Sequence, residues 1–316
     1  MLALWIALGV LAVVVVPLAL TYALTLPLAK DIYEDLLVRT SPEKWTRAES
    51  CTTDDEYNAM YQEALAWGER YQDRTREYTI EHDGLKLVGQ FVDFGSTKTA
   101  ILLCGRAEGL LYSYFYAEPY RQAGCNILVT DTRAHGNSEG KYNTLGVKES
   151  GDVLAWMQFL TTQCHTDKIL LHGVCIGAAT SVYTAASEHC PAALAGVTLD
   201  GVYSSFHRVF LQRMKLMHKP VFPVLGEIEH YIKKNTGVDI QKQSPYHALP
   251  NVQVPTLFLQ SRADVSSLPQ YTPALFERCG STKKQLEWFE QGAHSHVRYV
   301  NKAQYDRVVR AFAESV

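Results

Sequence analysis

The stretch Lys168-Ile-Leu-Leu-His-Gly-Val-Cys-Ile-Gly-Ala-Ala-Thr180 decides the fold. It reads as a short apolar strand, a Gly-x-Cys-x-Gly turn, and a helix that begins with small residues, which is the context that exposes a nucleophile on a sharp turn. Gly173 and Gly177 fit a strained turn in which neighbouring backbones leave no room for a Cβ atom. Cys175 would begin the helix, whose dipole stabilises negative charge. We therefore take Cys175 as the candidate nucleophile, the alternative being a small buried apolar residue.

Outward from this stretch, short apolar runs alternate with helical patterns. The expected strands are 77–81, 85–92, 100–104, 126–130, 168–172, 194–199, 256–260 and 285–289. The expected helices are 111–123, 146–162, 176–189, 268–279 and 302–313. Such alternation predicts βαβ units and a mostly parallel sheet, and Asp83-Gly84 predicts a hairpin between the first two strands.

A second motif, Asp131-Thr-Arg-Ala-His-Gly-Asn-Ser138, directly follows the strand 126–130. It resembles the Asp-x-Arg-Gly-His-Gly-x-Ser run of α/β-hydrolases, with Ala134 in place of a glycine. In that superfamily the run is structural. The resemblance implies that Asp131, Arg133, His135 and Gly136 brace the loops beside the turn at Cys175, and that His135 is not the catalytic base.

Acyl transfer through a thiol also needs an imidazole to take its proton and a carboxylate to orient that imidazole. α/β-Hydrolases supply them in the order nucleophile, acid, histidine. Asp264 lies in a run that resembles the superfamily's acid loop, with one extra residue before Pro269, and His294 follows the last expected strand. His296 is an alternative base in the same loop, and an exposed turn residue is the alternative for Asp264.

An oxyanion hole needs two backbone N–H groups that point at the developing negative charge. The resemblance assigns one to Ile176 and the other to the loop after strand 100–104, where we expect Arg106. Relatives often have His-Gly in this loop, whereas this chain has Cys104-Gly105. The second thiol leaves a regulatory disulfide with Cys175 as a minor alternative.

The match from about Tyr78 to Phe312 is similar to the membrane-anchored bacterial α/β-hydrolases described as serine aminopeptidase-like. It implies an α/β-hydrolase fold with an eight-stranded, mostly parallel sheet, helices on both faces and a helical lid, and no metal or organic cofactor. The cysteine resembles that of dienelactone hydrolases and favours esters, thioesters or lactones, cleaved through an acyl-enzyme. A cysteine acyltransferase and a binding protein that has lost activity are the alternatives.

The N-terminus predicts a membrane anchor, because no charged side chain occurs before Lys30 and residues 2–28 are long enough to cross a bilayer. A cleaved signal peptide is the rival interpretation, but the segment lacks a basic start. We expect three parts: the anchor at 1–29, a helical stalk and N-terminal helix at 30–76, and an α/β-hydrolase domain at 77–316 with a lid insertion at about 202–254. A packed helical excursion is the alternative to a lid. Lysines and arginines after the span favour a cytoplasmic domain.

Composition narrows the partners. The net charge is −3 and basic residues form no run longer than a pair, so nucleic acid is not an expected partner. The seven cysteines have no short paired spacing, which indicates neither a zinc site nor a redox dithiol. Aromatic and apolar residues at 110–116 and 206–222 suggest a small acyl substrate of apolar character near a bilayer. The alternative is that these aromatic side chains belong to the core, as aromatic residues at helical spacing more often do.

Overall fold

An eight-stranded sheet forms the centre of the protein in a computed structural model, which describes residues 1–47, 54–106 and 108–316. Its strands are β1 (Thr75–His82), β2 (Leu85–Val92), β3 (Lys98–Leu103), β4 (Asn126–Thr130), β5 (Lys168–Val174), β6 (Leu194–Asp200), β7 (Thr256–Ser261) and β8 (Lys284–Phe289). The spatial order is β1-β2-β4-β3-β5-β6-β7-β8. β2 is antiparallel to β1 and β4. The other six strands, β3 to β8, are parallel to one another. The predicted mostly parallel sheet of eight strands is confirmed.

The topology determines where a ligand can bind. The chain moves outward from β3 to β4 and then crosses back to β5, so the strand order reverses between β3 and β5. In open α/β sheets this reversal opens a crevice at the carboxyl ends of the strands. Leu103, at the end of β3, lies beside Gly173 of β5. The loop after β3 therefore adjoins the turn that contains Cys175.

Thirteen helices lie within the described residues. They are α1 (Leu2–Val10), α2 (Val16–Leu37), α3 (Asp55–Arg70), α4 (Leu110–Ser113), α5 (Ala117–Gln122), α6 (Glu149–Gln163), α7 (Ile176–Ala185), α8 (Phe206–Leu216), α9 (Val224–Thr236), α10 (Pro245–Ala248), α11 (Thr272–Arg278), α12 (Val297–Val300) and α13 (Lys302–Ser315). Short 3₁₀ turns occupy 72–74, 114–116, 249–251 and 269–271.

All five expected helices differ in extent from the structure: the one expected at 176–189 ends at Ala185, the one expected at 268–279 begins at Thr272, and the last runs on to Ser315. The other two differences have a clear physical cause. The helix expected at 111–123 is broken into α4, a 3₁₀ turn and α5, because Pro119 lacks an N–H and its ring would clash with the Phe115 carbonyl in a continuous helix. The helix expected from Gly146 begins at Glu149 instead. Gly146 has φ +92° and its Cα lies so close to Thr180 that a Cβ would be 2.9 Å from the Thr180 nitrogen, so this glycine makes a turn.

Alternation along the strands divides the core between the two faces of the sheet. Ala100 and Leu102 pack with the aromatic side chains of α4 and the following turn, whereas Ile101 and Leu103 pack with α6 and α7. A third apolar cluster, which we call the lid cluster, joins the end of α2 to α8, α9 and the start of α7. Its buried members include Tyr33 and Leu36 from α2, Ile176 from α7, Phe210 from α8 and Ile228 from α9.

The N-terminal helices form one long apolar element. α1 is followed by a π-helical turn at Leu11–Val15 and then by α2, and residues 8–37 are long and apolar enough to cross a membrane. The last turns of α2 pack into the lid cluster, where Ala29, Tyr33, Leu36 and Leu37 are buried. The Lys44 ammonium group then donates to the carbonyls of Glu34, Asp35 and Val38 at the end of α2. The end of the apolar element is therefore fixed to the domain.

Candidate active site

The turn between β5 and α7 holds Cys175 in a backbone conformation that residues other than glycine rarely adopt, with φ +55° and ψ −112°. Two glycines make the turn possible. A Cβ on Gly173 would lie 2.1 Å from the Gly177 carbonyl oxygen, and a Cβ on Gly177 would lie 2.1 Å from the Leu103 carbonyl oxygen. Strain at one residue costs about 1–3 kcal/mol and persists only where its surroundings enforce it. The turn therefore has the geometry of a nucleophile elbow.

Asp264 and His294 lie side by side at the same edge of the sheet. Asp264 follows β7, and its Oδ2 is 2.7 Å from His294 Nδ1. Its other oxygen, Oδ1, accepts from the backbone N–H groups of Ser266 and Ser267, each at 2.8 Å. Only 1% of the Asp264 side chain is exposed. The carboxylate is thus fixed by the backbone and orients the imidazole.

The Cys175 thiol lies beside His294, close enough to act on the pKa of the imidazole. Because Nδ1 faces Asp264, the other ring nitrogen, Nε2, is the one available to the thiol. Burial acts to lower the pKa of His294, but the charge of Cys175 and the hydrogen bonds to Asp264 and Cys175 raise it well above its usual value. A thiol, an imidazole and a carboxylate are therefore neighbours in the order that nucleophilic catalysis requires.

His296, the alternative base, is directed elsewhere. Its Nδ1 is 2.8 Å from the His294 carbonyl oxygen, and its Nε2 is 3.4 Å from the Asp54 carboxylate at the start of α3. Both ring nitrogens therefore have partners away from Asp264. The geometry favours His294 as the base.

The loop after β3 lies beside the elbow and is shaped by Glu108. The carboxylate of Glu108 accepts from the Gly105 N–H at 2.6 Å, and its backbone carbonyl lies 3.3 Å from the Cys104 sulfur. Gly105 therefore uses its N–H within the loop, which leaves Arg106 as the candidate second oxyanion donor. Cys104 and Cys175 are free thiols. Burial raises the pKa of Glu108 and of Cys104.

The Arg106 side chain connects this loop to the apolar N-terminal element. Its guanidinium donates to the Leu36 carbonyl at 3.2 Å, in the last turn of α2. Burial lowers the pKa of Arg106, and nearby Arg213 of α8 lowers it further, whereas Cys175 acts in the opposite direction. The end of α2, helix α8 and the loop after β3 therefore meet beside the candidate nucleophile.

The Asp131 motif holds its loop through many hydrogen bonds. Asp131 accepts from the backbone N–H groups of Leu110 and Asn137 and from the Arg47 side chain. The Arg133 guanidinium binds both carboxylate oxygens of Asp152, each at 2.7 Å. Asp131 therefore links its own loop to the start of α4, and Arg133 links it to α6.

The middle of the same motif makes a tight turn. His135 stacks on Trp45 with ring centroids 4.4 Å apart, and burial lowers its pKa to about 4. Gly136 has φ +50°, and a Cβ there would lie 2.2 Å from the Asp131 carboxylate. Ala134, which replaces the superfamily's glycine, has φ +66°. The departure seen in the sequence therefore falls at a left-handed position.

A second buried polar group lies beneath the site, and sequence reasoning missed it. Asp200 ends β6, and its Oδ2 accepts from the Tyr305 hydroxyl at 2.7 Å. That hydroxyl is also 3.2 Å from His172 Nε2, while the Tyr120 hydroxyl is 3.0 Å from His172 Nδ1. Burial raises the pKa of Asp200 to about 7 and lowers that of His172 to about 3. The sequence held one signal of this group, an acid immediately before Gly201. In the structure, a Cβ on Gly201 would lie 3.4 Å from both the Asp264 carboxylate and the His294 ring.

The lid cluster also packs against the elbow. Cys175 packs against this cluster, which contains side chains from α8 and α9 of the insertion between β6 and β7. Within the described residues, no group of three or more His, Cys, Asp and Glu side chains is arranged to hold a metal ion. The groups gathered around Cys175 are suited to proton transfer and nucleophilic attack.

This sheet order, with an elbow after β5 and polar loops at the carboxyl ends of its strands, defines the α/β-hydrolase fold. Solved structures agree: the esterase Pf2001 of Pyrococcus furiosus superposes with a TM-score of 0.66 at 21% identity, over 78% of this chain and 95% of the esterase. No family model matches the sequence.

Two curated proteins are similar in sequence. The uncharacterized protein YqkD of Bacillus subtilis is 26% identical over 236 residues, covering 74% of this chain and 77% of that protein. The uncharacterized membrane protein YNL320W of Saccharomyces cerevisiae is 27% identical over 224 residues, covering 68% of this chain and 72% of that protein.

Proposed function

We propose that this protein is a membrane-anchored hydrolase that cleaves ester, thioester or lactone bonds through an acyl-enzyme on Cys175. The observation that carries the proposal is the contact of Cys175 with His294, which Asp264 orients from the opposite side of the ring. Esterases and other hydrolases with the same fold support the reaction class. The branch that includes the serine aminopeptidase-like membrane proteins remains the proposed relationship.

The proposed acylation begins when His294 takes the proton of the Cys175 thiol. The thiolate attacks the carbonyl carbon of the substrate, and the electron pair of the C=O bond moves to oxygen. The N–H groups of Ile176 and Arg106 stabilise this oxyanion. The intermediate collapses, the bond to the leaving group breaks, and His294 returns its proton to the departing oxygen or sulfur. A thioester on Cys175 remains.

Deacylation uses the same groups in reverse. His294 takes a proton from water, and the resulting hydroxide attacks the thioester carbonyl. The Cys175 thiolate leaves and recovers the proton from His294, which releases a carboxylic acid. A thiolate is a better leaving group than an amine, so an amide adduct would return to substrate, whereas activated esters, thioesters and lactones proceed.

The proposed location is a membrane, crossed once by the apolar N-terminal helices. The yeast relative is described as a membrane protein, which supports this placement. Lys30, Arg39, Lys44 and Arg47 follow the span. Positive charge beside a span favours the cytoplasmic side, so we propose a cytoplasmic catalytic domain.

The test is a panel of p-nitrophenyl esters and thioesters with the full-length protein in detergent. We expect Cys175→Ala and His294→Ala to lower kcat/KM by about a thousandfold or more, and mass spectrometry to detect an acyl group on Cys175. Cys164→Ala is the matched control, because Cys164 is a partly exposed free thiol remote from the elbow. Undiminished turnover by Cys175→Ala would exclude the mechanism.

The same panel separates the alternatives. An acyltransferase would pass the acyl group to an added alcohol or thiol in preference to water, and that outcome would replace hydrolysis as the activity. A binding protein without activity would show no Cys175-dependent turnover of any substrate.

A further inference from the structure

A cavity of about 690 Å³ lies between the membrane helix α2 and the lid. We call it the junction cavity. Tyr22 and Leu26 of α2 form one wall, and Val221 and Phe222 at the start of the lid's second helix form another. The volume is within the range of small-molecule sites. Cys175 is not among the described residues that line it, although Val221 and Cys175 both pack against the lid cluster.

The position of the cavity along α2 places it in the outer part of the proposed span. Lys30 is the first charged side chain of the chain. Leu26 and Tyr22 precede it by four and eight residues, or about 6 and 12 Å along a helix. The cavity is therefore near the boundary between hydrocarbon and head groups, where an amphiphile places its polar end.

The lid carries exposed apolar side chains on this side. Phe222 is 67% exposed, Leu216 55% and Met217 53%, and all three lie in or beside the connection from α8 to α9. The Phe222 ring packs edge-on against the Tyr22 ring with centroids 6.1 Å apart. Since Tyr22 belongs to the proposed span, Phe222 reaches the same depth. The exposed connection is thus continuous with the membrane-facing surface of α2.

Polar side chains also line the cavity, and one of them, Glu227, has a carboxylate oxygen without a hydrogen-bond partner in the described part of the chain. Glu227 is only 7% exposed, and its Oε1 accepts from the Thr25 hydroxyl at 3.3 Å. Its Oε2 is buried and has no hydrogen-bond partner within the described part of the chain. A buried acceptor without a donor costs about 1–3 kcal/mol. Glu229, two residues on, has both oxygens bonded, one to His207 and the other to Gln241.

We propose that the junction cavity binds a single-chain amphiphile of the bilayer whose neutral head group donates a hydrogen bond to Glu227. The chain lies against Tyr22, Leu26 and Phe222, and a head-group hydroxyl satisfies Glu227 Oε2. An amphiphile with a carboxylate head is disfavoured, because its charge would face the acid. If the cavity supplies acyl substrate to Cys175, the inference rests on the proposed function. Lipid binding in the cavity depends only on the proposed membrane span.

The test uses full-length protein in phosphatidylcholine nanodiscs, in a Cys175→Ala background so that binding is measured without turnover. The probe is a monoacylglycerol with a photoreactive diazirine on its chain, and cross-linked peptides are identified by mass spectrometry. We expect labelling of α2 near Tyr22 to Leu26 and of residues 221–231. Unlabelled monoacylglycerol should compete better than the fatty acid of the same chain length.

Two pairs of variants test the cavity and the acid. A Cβ on Gly226 meets no atom within 4 Å, so Gly226→Trp fills the cavity whereas Gly226→Ala does not. We expect labelling to fall about tenfold in the first and to persist in the second. Glu227→Gln should weaken labelling about fivefold or more by removing a charge-assisted acceptor, whereas Glu229→Gln should not.

Equal labelling of the Gly226→Trp and Gly226→Ala proteins, or labelling spread along the whole span, would overturn the inference. Cys175-dependent turnover of p-nitrophenyl acetate by the wild-type protein tests the proposed function separately. Turnover without cavity labelling would reject this inference alone, and labelling without turnover would reject the proposed function alone.

Discussion

At the scale of single residues, the elbow can form only because Gly177 has no Cβ atom. Gly177 packs against the end of β3 so closely that any Cβ would overlap the Leu103 carbonyl oxygen. We expect Gly177→Ala to lower the free energy of unfolding by about 3 kcal/mol or more, because backbone must move to make room. Urea unfolding of the detergent-solubilised protein measures this change.

Gly226→Ala is the matched control for that substitution. Its Cβ enters open space within α9, and alanine is a better helix former, so stability should rise by up to about 1 kcal/mol. A loss of stability at Gly226 equal to that at Gly177 would show that close contact with Leu103 is not the cause.

The carboxylate of Asp264 is one of the groups that raise the pKa of His294. Burial lowers the pKa of His294, but Cys175 and Asp264 raise it well above its usual value. The His294 imidazolium therefore persists to higher pH. In Asp264→Asn the charge is lost, so the alkaline limb of kcat/KM should move to lower pH by about one unit or more. The limb is measured on a p-nitrophenyl ester from pH 5 to 10.

Asp73→Asn is the control for this pH profile, because Asp73 is an exposed aspartate in the turn before β1. Its profile should match that of the wild type. An unmoved alkaline limb in Asp264→Asn would mean that Asp264 does not control the charge of His294.

The single-residue predictions from sequence depended on motif order. Gly173, Cys175 and Gly177 were predictable because a strand must turn sharply into a helix within five residues. Asp200 was not predictable in the same way. It completes an apolar strand, and one acid at a strand end gives no periodic signal. Its importance comes from Tyr305, which is more than one hundred residues away in sequence and meets it only in the folded protein.

At the scale of elements, α2 is both the end of the proposed anchor and a part of the domain. Residues 8–27 are largely exposed, whereas Tyr33, Leu36 and Leu37 are buried. Burial of one large apolar side chain contributes about 1.5–3 kcal/mol. We therefore expect deletion of residues 2–27 to leave the unfolding temperature in detergent nearly unchanged, and deletion of residues 2–37 to lower stability by about 5 kcal/mol or more.

Function should follow the same boundary, because Arg106 donates to the Leu36 carbonyl. The 2–37 deletion removes this acceptor from the oxyanion loop and should reduce kcat/KM for a soluble ester, whereas the 2–27 deletion should retain it. If the longer deletion does not fold, Tyr33→Ala in the full-length protein tests the same packing. Equal stability of the two deletion proteins would show that the end of α2 is dispensable.

At the scale of the whole molecule, the sheet was predictable because each strand is a short apolar run between helical patterns. The strand ends deviate by at most two residues from the expected ranges, and β2 and β4 match them at both ends. Tertiary contacts were less accessible to sequence reasoning. The burial of the last turns of α2 under α9 joins segments about two hundred residues apart, as does the hydrogen bond from Asn235 to the Tyr33 hydroxyl. Hydropathy alone assigns the last turns of α2 to the membrane span.

The buried network around Asp200 joins β5, β6, α5 and α13, so it affects the stability of the whole domain. Burial raises the pKa of Asp200 from its ordinary 3.8 to about 7. Between these values the folded state holds a proton that the unfolded state has lost, so stability falls as pH rises. At about 1.4 kcal/mol per pH unit, the penalty reaches roughly 4 kcal/mol above pH 7.

The total pH dependence does not isolate this effect, because two buried histidines act in the opposite direction. The pKa of His172 is lowered to about 3 and that of His135 to about 4. Each destabilises the fold at acidic pH, and that penalty disappears as pH rises toward 6.5.

The informative quantity is the difference in unfolding free energy between Asp200→Asn and the wild type. Asparagine keeps an oxygen that can accept from Tyr305 but does not titrate. Its unfolding free energy should therefore gain on that of the wild type from pH 4 to 7 and run parallel to it above pH 7, as measured by urea unfolding at each pH. Parallel curves over the whole range would mean that Asp200 has the same proton affinity in the folded and unfolded chains.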